Sequence, residues 1–91
     1  MPHAIPESQH LEESMFLSEV FNGKYLRVIR FEKGRGLEQK LCQLGILPGD
    51  TGRVLRQVPC GGPVLLEIHG RTIALGRGVA SKVIVEEIEQ S

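Results

Sequence analysis

Apolar residues, many of them β-branched or aromatic, become frequent from Tyr25 onward. From there to Phe31, Leu26 and Val28 face one way, and Tyr25, Ile29 and Phe31 face the other. A period of two, in a segment rich in β-branched and aromatic residues, predicts a first β-strand.

The spacing changes to a helical one after Gly36. Leu37, Leu41 and Leu44 recur at i, i+4 and i+7 with polar residues between them, and this period predicts one helix of about three turns. Gly45 stands where a glycine in the left-handed conformation commonly ends a helix.

Turn residues then separate several short apolar segments. Pro48 and Gly49 suit the two central positions of a type II turn, and further turns are expected at Pro59, Gly61, Pro63 and Gly70. Between and after these turns the pattern predicts four more strands, at Thr51–Val58, Val64–Ile68, Thr72–Leu75 and Val83–Ile88, with a single helical turn around Val79–Lys82. The fold class is therefore mainly β: a small SH3-like antiparallel barrel of about five strands, with one three-turn helix and a short helical turn.

Length and hydropathy limit the organisation further. A chain of 91 residues has room for one hydrophobic core. Residues 1–15 show neither period and are predicted to be a flexible leader, while residues 16–89 are predicted to form the barrel. No apolar run approaches the roughly 18 residues that a membrane span needs, so we expect a cytoplasmic protein that is not itself membrane-embedded.

Charge is distributed unevenly although the net charge is zero. The segment from Lys24 to Lys82 holds eleven basic residues against four acidic ones, a charge of +7, while both ends are acidic. A basic middle could attract nucleic acid, anionic lipid or an acidic protein, or it could be an ordinary solvated surface. Because only four aromatic side chains are available to stack on bases, nucleic-acid binding is disfavoured.

The sequence offers little for catalysis or for metal binding. Two of its three histidines, His3 and His10, lie in the predicted leader, and no serine or glycine motif matches a nucleophile or a phosphate loop. The remaining metal-ligand candidates are Cys42, Cys60 and His69, which come from a helix, a loop and a turn without a local ligand pair. We therefore predict no enzyme, no cofactor and no metal site, with Cys42 semi-buried and with any divalent ion adventitious, at His3 or His10.

One run of residues resembles a known family. Gln39 to Gly49 resembles the helix, glycine and Pro-Gly turn of the FeoA family, and Pro59 to Pro63 and Gly70 with Ile73 to Leu75 give further matches. Departures are also present: Glu38 and Gln39 stand where arginines are frequent, and Cys60 and Gly62 stand where leucine and aspartate are usual. The resemblance implies a cytoplasmic helper of ferrous iron uptake that binds FeoB, a membrane transporter with a cytoplasmic GTP-binding domain.

The same barrel also resembles the C-terminal domain of DtxR-type metal-dependent repressors. A peptide-binding or regulatory module of a metal-responsive system is therefore the alternative function. Weak self-association is a further open possibility.

The partner surface is predicted at the helix end and its turn, which comprise Leu44, Gly45, Ile46, Leu47, Pro48 and Gly49. We expect Leu44 and Ile46 to lie side by side on the surface with Leu47 beneath them. The alternative is that Ile46 and Leu47 both plug the core. If the partner binds elsewhere, basic strands bearing Arg53, Arg56 and Arg77 are the next candidate.

Overall fold

The computed structural model describes residues 14–34, 36–58 and 61–89, and its six strands form a single sheet. They are β1 (Ser14–Phe16), a 3-10 helix (Leu17–Glu19), β2 (Tyr25–Phe31), α1 (Leu37–Gln43), β3 (Thr51–Val58), β4 (Gly61–Ile68), β5 (Arg71–Leu75), α2 (Arg77–Ala80) and β6 (Val83–Ile88). The strands pair antiparallel in the order β1-β6-β2-β3-β4-β5. The predicted mainly β, SH3-like class is confirmed.

The core follows from the alternation in the strands. On β2, Leu26 and Val28 are buried, as the period predicted, and Val28 lies opposite the buried Val85 of β6. A register shift between Val28 and Arg30 marks a bulge at Ile29. The buried apolar side chains of the remaining strands complete one cluster, which contains Val54, Val64, Leu66, Ile68, Ile73, Leu75 and Val83.

The N-terminal boundary of the barrel lies earlier than predicted. Ser14 and Met15 belong to β1, which pairs with β6 and makes the sheet six-stranded instead of five-stranded. Met15 packs against the core, and the following Leu17 is 1% exposed, so this short strand has an apolar anchor that its three-residue length hides in the sequence. The rest of the predicted leader lies outside the described residues.

Several element limits also differ from the prediction. Gly61 and Pro63 lie in β4 and not in a turn, because Val58 pairs directly with Gly61 and leaves only two residues between the strands. One of these is Pro59, and both lie outside the described residues. The short helical turn, α2, begins at Arg77, two residues before the predicted start.

The predicted hairpin turn at Gly70 is present. Ile68 pairs with Arg71, and His69 and Gly70 between them have φ of 55° and 77°. Two consecutive residues with positive φ are the geometry of a type I′ turn, which matches the twist of the strands it joins. In the described parts of the chain, no helix is long and apolar enough to cross a membrane.

Candidate partner-binding site

The helix α1 has two turns and not the predicted three, and it ends where predicted because Gly45 reverses the backbone. Gly45 has φ of 89°, and its N–H donates to the carbonyl of Cys42 at 2.9 Å. The next N–H, of Ile46, donates to the carbonyl of Leu41 at 2.9 Å. These two bonds form a Schellman motif, which satisfies helix carbonyls that would otherwise lack a partner.

This reversal decides which side chains face the core, and it contradicts the predicted arrangement. Ile46 is 0% exposed, because the motif turns it back toward the buried Leu41. Leu47 is 48% exposed, and Leu44 is partly buried against the core. The exposed anchor is therefore Leu47, with Ile46 beneath it, which is the reverse of the expected order.

Hydrogen bonds within the turn and to β2 fix the turn that follows, which runs from Leu47 to Asp50. The N–H of Asp50 donates to the carbonyl of Leu47 at 3.0 Å, and Gly49 has φ of 96°, as a type II turn requires at that position. Asp50 Oδ2 in turn accepts the N–H of Leu47 at 2.9 Å. Val28 of β2 bonds this turn twice, by accepting from Gly49 at 2.7 Å and by donating to the carbonyl of Asp50 at 2.8 Å.

An open groove lies between α1 and this turn. It has a volume of about 460 Å³ and is lined by Phe31, Glu38, Gln39, Cys42, Leu47 and Pro48. Leu47 and Pro48 were predicted at a partner surface, whereas Phe31 was assigned only to a strand. Cys42 is exposed and not semi-buried, because Leu41 takes the inward position and the next helical residue is rotated about 100° away from it.

The β4–β5 hairpin reaches the same region, a contact that the sequence analysis missed. Arg71 Nη2 donates to the carbonyl of Leu44 at 3.0 Å. His69 Nε2 lies 3.2 Å from Asp50 Oδ1. No local pattern signals these contacts, since Arg71 follows Leu44 by 27 residues.

The described residues do not form a metal centre. Within the ranges 14–34, 36–58 and 61–89, no three side chains of His, Cys, Asp or Glu converge as a metal site requires. His69 lies beside Asp50, and Cys60 lies outside the described residues.

Two of the three arginines of the second candidate surface, Arg53 and Arg77, contact other side chains of the described residues. Arg53 lies 3.6 Å from a carboxylate oxygen of Glu67 and stacks over the ring of Tyr25, 5.7 Å from its centroid. Arg77 Nη2 donates to Gln57 Oε1 at 3.0 Å. The ion pair with Glu67 reduces the charge that Arg53 offers to a partner, whereas Gln57 is neutral and leaves the charge of Arg77 in place.

Comparison with known proteins gives one family. Residues 15–87 match the family model of the FeoA domain. The "Putative Fe(2+) transport protein A" of Methanocaldococcus jannaschii is 37% identical over 67 residues, which are 74% of this chain and 79% of that protein. The crystal structure of an iron uptake regulatory protein, FeoA, superposes with a TM-score of 0.77 at 33% identity, covering 82% of this chain and 99% of the other.

A more distant likeness extends to a regulator. A manganese-dependent transcriptional repressor superposes with a TM-score of 0.75 at 21% identity, and the match covers 82% of this chain and 42% of the repressor. At that identity the likeness shows a common fold alone.

Proposed function

This chain belongs to the FeoA family, and we propose that it is an accessory protein of ferrous iron transport that binds a FeoB-like membrane transporter through the groove beside Leu47. Such a transporter carries a cytoplasmic GTP-binding domain, so the chain would act in the cytoplasm, at the inner face of the membrane. The observation that carries the assignment of the surface is the exposed Leu47 side chain on a turn with a fixed backbone.

The physical argument begins with what Leu47 gains from a partner. Burying a whole leucine side chain stabilises by about 1.5–3 kcal/mol, so covering the exposed half of Leu47 is worth about 1 kcal/mol. The backbone on either side of Leu47 is already ordered by its bonds to Asp50, so little conformational entropy is lost on binding. Phe31, Cys42 and Pro48 line the groove together with Glu38 and Gln39, so a partner that covers Leu47 would meet further apolar surface there.

The chain is proposed to act on the transporter and not to carry the ion or to catalyse a reaction. Metal ligands do not converge among the described residues, and any GTP hydrolysis would belong to the partner's own GTP-binding domain. The contribution of this chain to iron transport is then a protein contact.

The proposal is tested in cells grown under iron limitation. Cells lacking this chain should take up labelled Fe(II) more slowly, and the wild-type chain should restore uptake. Affinity capture from their membranes, with the retained proteins identified, should yield the FeoB-like transporter. Normal Fe(II) uptake in the deletion strain, together with no transporter among the captured proteins, would contradict the proposal.

A second candidate function is a regulatory module that binds a peptide of a metal-responsive system. The structural likeness to the manganese-dependent repressor favours it, although only at the level of fold. Affinity capture from the whole-cell lysate separates the two functions, because this alternative expects a soluble regulator and not a polytopic transporter.

A further inference from the structure

The connector between α1 and β3, residues 44–50, is contacted near both of its ends by the tip of one hairpin. Arg71 donates to the Leu44 carbonyl at the start of this connector, at 3.0 Å. His69 meets the Asp50 carboxylate at its end, at 3.2 Å. These two side chains flank Gly70 at the tip, so a single turn contacts both ends of the connector.

The hairpin tip is well placed to act as a fixed support. Its type I′ geometry is set by the positive φ of His69 and Gly70, and the strand before it enters the core through Ile68, which is 0% exposed. The fit against the connector is close, because a β-carbon added at Gly45 would overlap the Arg71 guanidinium. Glycine is needed there for its left-handed φ, and a larger residue would also displace the flexible end of Arg71 from the connector.

The contact at Asp50 leads directly to Leu47. One carboxylate oxygen, Oδ1, meets His69, and the other, Oδ2, accepts the N–H of Leu47 at 2.9 Å. The Asp50 side chain is 19% exposed, whereas that of His69 is 63% exposed. His69 thus holds, from the solvent side, the group that fixes the Leu47 backbone.

We propose that His69 and Arg71 are positioning residues, which hold the 44–50 connector in the geometry that presents Leu47 and so set the affinity for the partner. The effect on affinity rests on the proposed function. The effect on the connector does not, because it is a property of the free chain.

The first test uses His69→Asn in the full chain. Asn-Gly is a favoured type I′ turn, so the hairpin and the melting temperature should be preserved, while the shorter side chain no longer reaches Asp50. Amide hydrogen exchange at Leu47 should become about fivefold faster or more, because local opening exposes its N–H. The dissociation constant for the purified full-length FeoB-like transporter should rise about three- to tenfold.

The second test uses Arg71→Leu with Arg71→Lys as its conservative partner. Leucine suits a strand but cannot donate to the Leu44 carbonyl, so amide exchange at Gly45 and Ile46 should accelerate. Lysine keeps a charged donor on a long stem and should restore slow exchange, at least in part. A general loss of structure would not be rescued in this way.

The outcomes separate the two proposals. Unchanged exchange at Leu47 in His69→Asn would overturn the positioning role, whatever the transporter does. Faster exchange with unchanged affinity would overturn the link between the hairpin and binding. If the wild-type chain does not bind the transporter at all, the proposed function fails. The exchange rates then still test whether His69 and Arg71 position the connector.

Discussion

Large apolar side chains are exposed near both ends of β3, and the two surfaces differ in shape. Near the start of β3, Leu47 is half covered and forms one wall of a groove. Phe21 is 72% exposed, and its neighbour Asn22 bonds the backbone of Gln57 near the far end of β3, where Val58 is 42% exposed. Both loops have ordered backbones, so order alone does not separate them. The comparison teaches that a side chain lining a groove marks the better docking site, because a partner seated in the groove covers it together with its apolar neighbours.

The largest expected effect is a difference in stability between substitutions at two adjacent residues, Ile46 and Leu47. Ile46→Ala should lower the free energy of unfolding by about 2–5 kcal/mol, because it leaves a cavity in the core. Leu47→Ala should cost less than about 1 kcal/mol, since half of that side chain is already in water. Urea unfolding of both variants measures the difference. Equal losses would mean that Leu47 is a core residue and that the groove lacks an exposed anchor.

The second effect concerns the glycine that creates the groove. Gly45→Ala should destabilise by about 1–2 kcal/mol from its left-handed φ alone, and by more if Arg71 is displaced. The matched control is Gly78→Ala in α2, where an added β-carbon meets open space and alanine has the higher helix propensity, so no loss of stability is expected. Thermal unfolding compares them. A harmless Gly45→Ala would show that neither φ nor Arg71 constrains the connector.

The third effect concerns the N-terminus and tests at which residue the barrel begins. Deleting residues 1–13 should leave the melting temperature nearly unchanged, because that segment has no apolar period. Deleting residues 1–16 should lower it by several degrees, because β6 loses the pairing of Met15 and Phe16. A large drop on the shorter deletion would mean that the first thirteen residues pack on the barrel.

The smallest expected effect is the response to iron. Anaerobic calorimetry with Fe(II) should show no stoichiometric binding in the micromolar range, because no set of three or four ligands converges among the described residues. One-to-one binding that disappears in Cys60→Ser or His69→Ala would overturn this prediction. The chain would then become a candidate for iron delivery.

Local patterns predicted most of the fold but not its exact limits. The inward face of β2 and the His69-Gly70 turn each depend on only a few neighbouring residues, so the sequence predicts both. β1 was missed because three residues are too short for a period to appear, and its stability depends on pairing with β6, about seventy residues away.

The candidate site was predicted only in outline. Gly45 and the Pro48-Gly49 turn are visible as turn residues, but the sequence does not say which of Ile46 and Leu47 faces the core. That choice follows from the Schellman motif, which returns Ile46, the residue after Gly45, to the core. The contacts of His69 and Arg71 depend on how the hairpin packs against the connector, and no spacing along the chain reports such packing.

The most direct test of the account is a binding titration of the purified full-length FeoB-like transporter with the wild-type chain, Leu47→Asp and Phe21→Asp. Both substitutions place a carboxylate on an exposed apolar side chain, and thermal unfolding checks that both variants are folded. We predict that Leu47→Asp weakens binding about tenfold or more, because a charge would be buried in the groove, and that Phe21→Asp changes it less than about twofold. Normal binding by Leu47→Asp with loss of binding in Phe21→Asp would place the partner at the other end of the sheet and contradict the account.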